Sequence, residues 1–324
     1  MIKTSVIIPN YNGCAYLRDC LTFLMRCKGT EFHTIVVDDA STDDSCRMVR
    51  EEFPGVTLLR LSENGGFAHA VNVGIRAART DYVLLLNNDT VPEPDFVTEM
   101  EKTLSSGIRL FSVSAKMLSM KDTEVIDDCG DLYTALGWAV ARGKGEDRIR
   151  FSRRDLVFAA CGGAAIYRKK LLEHLGGFDE AHFAYLEDID VGYRARIYGY
   201  RNAYCPTAVV YHAGSATSGS RYNTFKVSLS SRNSIYLIAK NMPPLQILFN
   251  LPFLLLGFLV KTAFFICKGF GGTYVKGLGR GFSLAFSEEG RKKRVRFTWK
   301  HLPNYLVIEK ELLANMLALC LKIR

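Results

Sequence analysis

No Cys-x-x-Cys pair occurs among the nine cysteines, at positions 14, 20, 27, 46, 129, 161, 205, 267 and 320. That spacing indicates neither a zinc site nor a thioredoxin-type motif. The opening stretch, MIKTSVIIPNYNG, has too short an apolar run for a secretory signal and no small-residue cleavage site. An odd, irregular cysteine set without a leader predicts reduced thiols in a cytosolic compartment. A G-x-G-x-x-G loop is missing, which argues against a nicotinamide cofactor. RNP, helix-turn-helix and zinc-finger patterns are missing too, so nucleic acid is not an expected partner. What remains is an ordinary globular composition, 48% hydrophobic and 23% charged, which excludes extended disorder. The 324 residues suffice for one or two domains.

Residues 1–90 alternate short apolar runs with amphipathic patterns. Strands are expected over Ser5–Pro9, Thr34–Val37, Val56–Leu61 and Tyr82–Leu86, and helices near Ala15–Arg26, Asp43–Glu52 and Phe67–Arg79. Ser41-Thr42-Asp43-Asp44 offers an N-cap for the second helix. Such alternation predicts βαβ units and a mostly parallel sheet. Residues 91–155 read as less regular, with a strand at Leu110–Ala115 and glycine-rich connections. Beyond them the pattern returns: Val157–Tyr167 strand-like, Lys169–Leu175 and Asp188–Tyr198 helical, Val209–His212 a strand.

Several of these elements end on polar clusters. Leu84-Leu85-Leu86 runs into Asn87-Asn88-Asp89, which would deliver oxygens to the carboxyl edge of a sheet, where ligands of open α/β folds bind. A carboxylate there suits Mg²⁺ holding a diphosphate, and an Asn/Asp-rich turn explains the same residues. Pro9-Asn10-Tyr11-Asn12-Gly13 puts an aromatic face where a nucleobase could stack, or forms a plain turn. Val37-Asp38-Asp39 ends the second strand, where an acid contacts ribose or base, or caps a helix. Asn64-Gly65-Gly66 precedes a helix and would let backbone approach a phosphate or sugar. Glu187-Asp188 opens a helix with Ile189, Tyr193 and Ile197 on one apolar stripe. Acids are stabilised there by the dipole, and one of them could serve as a general base. His212 ends the last strand, as a metal ligand or as a packed histidine.

Composition changes at Pro243-Pro244. Leu245–Cys267 is almost wholly apolar, broken by Asn250, Pro252 and Lys261. It is long enough for a bilayer, which takes ~20 residues, but Pro252 and Lys261 favour a membrane-embedded or re-entrant helical hairpin over a clean span. A buried core helix is the other reading. The net charge of +9 is concentrated behind it: residues 269–324 carry eleven Lys and Arg against four acids. The run Arg291–Arg296 suits an anionic membrane surface.

Taken together, the segments SVIIPNYNG, VVDDASTDDS, ENGGFAHAVNVGIRAA, YVLLLNNDT, GGAAIYRKKLL, GGFDEAHFAYLEDIDVGYRARIYGY and VVYHAGSAT resemble the family 2 glycosyltransferases, rhamnosyltransferase-like branch. The resemblance covers roughly residues 3–218. It implies the α/β fold called GT-A, a Rossmann-like, mostly parallel central sheet with helices on both faces, here followed by the apolar and basic helical segment. It implies a catalytic domain over 1–240, with a nucleotide-binding half (1–90) and an acceptor half (91–240), and a membrane-associating region over 241–324. Pro9, Tyr11, Asp39, Asn64, Gly65 and Asn87 would bind the nucleotide. Asn87 stands where the family's D-x-D motif has its first Asp, which leaves Asp89 as the charged ligand of Mg²⁺ or Mn²⁺, with His212 completing the site. Asp188 would be the base, beside Glu187. The implied enzyme is an inverting hexosyltransferase. It moves rhamnose or a similar sugar from a dTDP- or UDP-sugar to a lipid-linked or cell-envelope glycan at the cytoplasmic face of the membrane. A sugar nucleotidyltransferase and a non-catalytic nucleotide-sugar-binding module are the alternatives. The first would want a basic loop after the first strand, which PNYNG lacks.

Overall fold

The computed structural model describes residues 2–214 and 222–322. Residues 215–217 of the last matching segment, and Arg324 of the basic tail, lie outside them. Strand and helix alternate at the start: β1 (Thr4–Asn10), α1 (Cys14–Leu24), β2 (Phe32–Asp38), α2 (Ser45–Glu52), β3 (Thr57–Arg60), α3 (Gly66–Ala77) and β4 (Tyr82–Leu86). The middle holds β5 (Thr90–Pro92), α4 (Phe96–Ser105), β6 (Leu110–Ser119), β7 (Ile126–Asp128), β8 (Asp131–Tyr133) and β9 (Ala139–Ala141). Then come β10 (Asp155–Val157), β11 (Ala164–Arg168), α5 (Lys169–His174), α6 (Glu187–Ile197) and β12 (Arg201–His212). Helices close the chain: α7 (Thr224–Asn241), α8 (Pro244–Cys267), α9 (Gly271–Phe286), α10 (Glu288–Lys293) and α11 (Leu302–Lys322).

The central sheet runs β10-β12-β6-β11-β4-β1-β2-β3, with β5 on β12 and β7 on β6. β4, β1, β2 and β3 are parallel. β11 is antiparallel to both β4 and β6, and β12 is parallel to β6. Hence β3, β2, β1, β4, β6 and β12 all point the same way, and their carboxyl ends share one edge. The period-2 alternation of each strand feeds two cores. Val6, Ile8, Val36, Leu84 and Leu86 meet Leu17, Leu21, Met48 and Phe96 on one face. Ile7, Ile35, Val37, Val83 and Leu85 meet Ala68, Val71 and Ile75 on the other.

Two stretches depart from the sequence reading. Residues 91–155 are more regular than their glycines suggest, because α4 presses Phe96, Val97, Met100 and Leu104 onto the sheet. Val157–Tyr167 is not one strand. It breaks into β10 and β11 around Cys161-Gly162-Gly163, and that break falls at the site.

The stretch Leu245–Cys267 does not fold back at Pro252. α8 is one helix of 24 residues, and the chain reverses at Lys268–Phe270 into α9. Its polarity is inverted. Gln246 and Asn250 face inward, where both bond the Glu309 carboxylate of α11 at 2.7–2.9 Å. Lys261 lies over the Trp138 ring, 5.4 Å from its centroid. Most of its large apolar side chains face out: Leu245 is 78% exposed, Leu248 65% and Leu259 67%, while Leu254 and Phe265 pack inward. A core helix of a soluble domain has the opposite arrangement. α9 and α11 add exposed Phe282, Phe286, Leu306 and Val307.

Candidate active site

A cavity of about 1010 Å³ opens at the shared carboxyl edge of the sheet. One wall comes from the ends of β1, β2 and β4. The register sets Asn10 beside Asp38. Asn88 Nδ2 donates to Asn10 Oδ1 at 2.7 Å, and Asn10 Nδ2 donates to Asp38 Oδ1 at 3.1 Å and to Ser41 Oγ at 3.2 Å. This satisfied polar chain pins three strand ends at fixed spacing. Pro9, Tyr11, Asp39, Asn64 and Asn87 all line the cavity, and Tyr11 is 40% exposed, its ring open to a ligand.

Gly65 is placed differently from the expectation. Its N–H and that of Gly66 both donate to Asp39, at 2.8 and 2.9 Å. The positive end of α3 is thus met by the protein's own carboxylate rather than left open for a phosphate. Gly66 has φ +81°, and a Cβ there would sit 2.7 Å from the Phe183 carbonyl oxygen, so close packing is what requires glycine. Nor does Ser41 or Asp39 cap α2. The Asp43 carboxylate accepts from Ser45 N–H at 3.1 Å, while Ser41 Oγ takes the Asn12 N–H at 2.9 Å.

The second wall brings Asp89 to His212. β5 pairs with β12 so that Thr90 faces His212, and Ala213 N–H donates to the Asp89 carbonyl at 3.0 Å. His212 Nε2 then lies 3.3 Å from Asp89 Oδ1, and its Nδ1 lies 2.7 Å from Asp127 Oδ2. Burial alone would push the imidazole down, but hydrogen bonds to Asp127 and Asp89, with their charges, carry it up to about 9. Asp127 is held down to about 2 against its own burial, by hydrogen bonds to His212 and Lys144. The two carboxylates thus set a negative field that favours a cation at this point of the cavity. A carboxylate oxygen and an imidazole nitrogen converging on one point, with cavity room for a diphosphate beside them, fit a divalent cation such as Mn²⁺ or Mg²⁺.

The floor carries the acids. Asp188 lies in the first turn of α6, and its Oδ2 accepts from Gly162 N–H at 3.1 Å. Burial raises its pKa. Glu187 is raised too, by burial and then by the charge of Asp188, and its Oε2 is buried with no hydrogen-bond partner among the described residues. Asp128, from β7, is raised to about 7 by burial and by Asp127 and Asp188. Asp131 is raised by burial and by Asp128, Asp188 and Glu187. Four carboxyls crowded out of water hold protons more readily than four in solution, which suits a group that must accept a proton near neutral pH.

Behind the acids runs the segment 182–186. Phe183 sits at φ 62°, ψ −63°, a γ-turn closed by Ala184 N–H to His182 O at 2.7 Å. Tyr185 and Leu186 also have positive φ, 71° and 68°. Each such residue costs on the order of 1–3 kcal/mol unless its surroundings enforce it, and such strain clusters at functional sites. Phe183, Ala184, Tyr185 and Leu186 all line the cavity.

A separate buried cluster, Asp179, His182 and Asp190, also groups ligating atoms. Its charge is already answered. Lys240 Nζ lies 2.6 Å from Asp179 and 2.9 Å from Asp190, and Arg194 bonds Asp190 at 2.6 Å. This is a structural ion network joining α6 to α7.

Asp127, Asp128, Lys144, Phe225 and Lys226 line the cavity but escape the sequence reading. The acidic pair before Cys129-Gly130 was the available signal for the first two.

The family model described as glycosyl transferase family 2 matches residues 5–176. The chain belongs to this family. Among its relatives is the N-acetylglucosaminyl-diphospho-decaprenol L-rhamnosyltransferase of Mycobacterium tuberculosis, 24% identical over 240 residues, covering 66% of this chain and 77% of that protein. The hyaluronan synthase of Pasteurella multocida is 28% identical over 226 residues, 61% of this chain but only 23% of the synthase. Among solved structures, Staphylococcus aureus TarS 1–349 in complex with UDP-GlcNAc superposes with a TM-score of 0.61 at 20% identity, covering 90% of this chain and 84% of that one. The Pyrobaculum calidifontis mannosyltransferase PcManGT, in complex with GDP-Man and Mn²⁺, gives 0.55 at 21% identity, covering 95% and 86%. The fold is GT-A, and the chain is a family 2 glycosyltransferase that uses a nucleotide-sugar donor.

Proposed function

We propose that this family 2 glycosyltransferase is an inverting enzyme, with Asp188 as general base and a divalent cation at Asp89 and His212. One observation carries the reading: a single cavity is lined by the Asp89–His212 pair, the acids at the start of α6 and the strand-end residues Pro9, Tyr11, Asp39 and Asn87. Tyr11 and Pro9 offer surfaces for the nucleobase, and Asp39, Asn64 and Asn87 hydrogen-bonding groups for base, ribose and phosphate. Gly65 supports them indirectly, by orienting Asp39. A bound Mg²⁺ or Mn²⁺ would act as a Lewis acid on the departing diphosphate. Asp188 takes the proton from the acceptor hydroxyl as its oxygen attacks the anomeric carbon, opposite the leaving group. Gly162 N–H fixes the carboxylate rotamer for that transfer. No covalent sugar–enzyme intermediate is required.

The catalytic unit in this reading is 1–240, with a nucleotide half (1–90) and an acceptor half (91–240). Region 241–324 associates with the membrane. The inverted polarity of α8 and the basic run Arg291–Arg296 support peripheral docking on an anionic surface at the cytoplasmic face. The cavity rim lies beside that region: Tyr222, next to the cavity-lining Asn223, packs on Phe264 and Phe265 of α8 at 5.6 and 5.8 Å. A lipid-linked acceptor would reach the site from there. We take the donor to be a rhamnosyl or similar hexosyl group on dTDP or UDP and the acceptor a lipid-linked or cell-envelope glycan, a reading that the likeness to the mycobacterial rhamnosyltransferase supports. Thermal-shift screening of dTDP-, UDP- and GDP-sugars, followed by product analysis, tests the reading. Nucleoside diphosphate and an inverted glycoside are expected. Release of pyrophosphate would make it a nucleotidyltransferase instead.

A further inference from the structure

We propose that Asn233, in the middle of α7, is a positioning residue for the base-bearing loop: its carboxamide holds the strained segment 182–186 in the form that presents Asp188 to the cavity. The proposal rests on the reading of Asp188 as the base.

The strain needs a holder. Phe183, Tyr185 and Leu186 all have positive φ, yet none is glycine. Such conformations persist only where neighbouring groups over-determine them. The backbone carbonyls of the segment show which groups do so. Asn233 Nδ2 lies 2.9 Å from His182 O, 2.9 Å from Ala184 O and 2.7 Å from Tyr185 O, so its two N–H groups are shared among three carbonyls. Arg232 donates to Ala181 O and His182 O, both at 2.8 Å. The Phe183 carbonyl accepts from Ala68 N–H of α3 at 3.1 Å, and that of Leu186 accepts from Asp190 N–H inside α6. Every carbonyl from Ala181 to Leu186 is thereby engaged, and a single amide nitrogen serves three of them.

The orientation of that amide is set as well. Asn233 Oδ1 accepts from Arg232 Nε at 2.9 Å. A guanidinium can only donate, so the oxygen faces Arg232 and the NH₂ group faces the loop. Asn233 is completely buried. α7 also supports the loop side chains: the Phe225 ring meets those of Phe183 and Tyr185 at 6.1 and 6.4 Å. α9 backs the helix closely, since a Cβ on Gly281 would come within 2.5 Å of the Arg232 carbonyl oxygen. On its other side the loop lines the open cavity, so it has room to move there if the amide is removed. Loss of Asn233 should therefore release the loop without unfolding the domain.

The test uses the full chain with Asn233→Ala, Asn233→Asp and, as a second site, Arg232→Ala. Turnover is followed as nucleoside diphosphate release across the dTDP-, UDP- and GDP-sugar panel. Binding of UDP and of dTDP with Mn²⁺ is followed by calorimetry, and loop amides 183–189 by hydrogen–deuterium exchange. Misplacing a reacting group by about 1 Å can cost about 10²-fold, so kcat should fall roughly tenfold to a hundredfold, with nucleotide affinity within about twofold and faster exchange in the loop. Asn233→Asp should be worse than Asn233→Ala, because a carboxylate then faces three carbonyl oxygens. A residue that merely fills space would show the reverse order, since Asp preserves its volume. Unchanged kcat and unchanged loop exchange in the folded variants overturn the proposal. Asp188→Asn run in parallel separates the two ideas. If it keeps activity, the base assignment fails. If it is inactive while the Asn233 and Arg232 variants keep full kcat, only the positioning role fails.

Discussion

The backbone N–H of Gly162 donates to Oδ2 of Asp188 across 3.1 Å, from the turn that splits β10 from β11 to the first turn of α6. Two segments far apart in sequence thus fix one carboxylate. Asp188→Asn should reduce kcat by about 10²–10⁴-fold, the usual contribution of a general base. Calorimetry with UDP or dTDP and Mn²⁺ should find the nucleotide still bound. Gly162→Ala is sterically mild, its added Cβ meeting Phe67 and Asp188 no closer than 3.5 Å, so it should stay within a few-fold of wild type. Full activity in Asp188→Asn would refute the role.

Asp89→Ala and His212→Ala should each weaken Mn²⁺-dependent nucleotide binding. Titrating UDP and dTDP with Mn²⁺ and with chelator present checks this directly. The expected outcome is that the difference between the two conditions shrinks in both variants. Equal metal dependence in wild type and Asp89→Ala would remove Asp89 from the site.

Lys240→Met should be among the most destabilising changes in the chain. Lys240 is 4% exposed and lies against Asp179 and Asp190. Removing it leaves buried carboxylates short of a cation, a loss of about 3–5 kcal/mol. Chemical denaturation measures it. A shift below 1 kcal/mol would contradict the network's importance.

Stability should also fall on mild acidification because of His182. Burial, aided by Lys240 and Arg194, pushes its pKa down to about 4 despite nearby Asp190 and Asp179. The unfolded chain binds this proton below pH ~6.5 and the folded chain only below about 4. The contribution is therefore complete above ~6.5 and lost as pH falls towards 4, on the order of 3 kcal/mol in all. Denaturation from pH 7 to 4 should be visibly flatter in His182→Gln, and an unchanged slope would count against it.

Membrane docking should depend on the outward apolar face of α8. Leu255 and Leu259 are 55% and 67% exposed, so Leu255→Glu with Leu259→Glu should fold normally. Flotation with phosphatidylglycerol vesicles should retain wild type and lose the double variant. Neutral phosphatidylcholine vesicles should bind wild type more weakly, because each basic residue near an anionic surface adds about 1 kcal/mol. Equal flotation of both proteins would argue against this face as the docking surface.

The sequence by itself determined the alternation of strands and helices in 1–90, because period-2 and period-3.6 apolar patterns are local properties. It also marked Asp89, Asp188 and His212 as polar ends of apolar elements, and the ordered set of segments carried the family. Tertiary structure alone decided what those ends meet. Asp127 and Asp128 sit in a stretch of weak pattern, and only the pairing of β7 with β6 brings them to the cavity. Gly65 looked like a phosphate loop, yet Asp39, twenty-six residues earlier, takes its N–H. The apolar stretch 245–267 could have been a core helix. Only its packing shows Gln246 and Asn250 turned inward to Glu309 and most of the leucines turned out. Nor does any local pattern announce that Asn233 engages three carbonyls some fifty residues upstream. Hydrogen bonds and charges act over a few ångströms in space, whatever their separation along the chain, so the elements were legible and their meeting points were not.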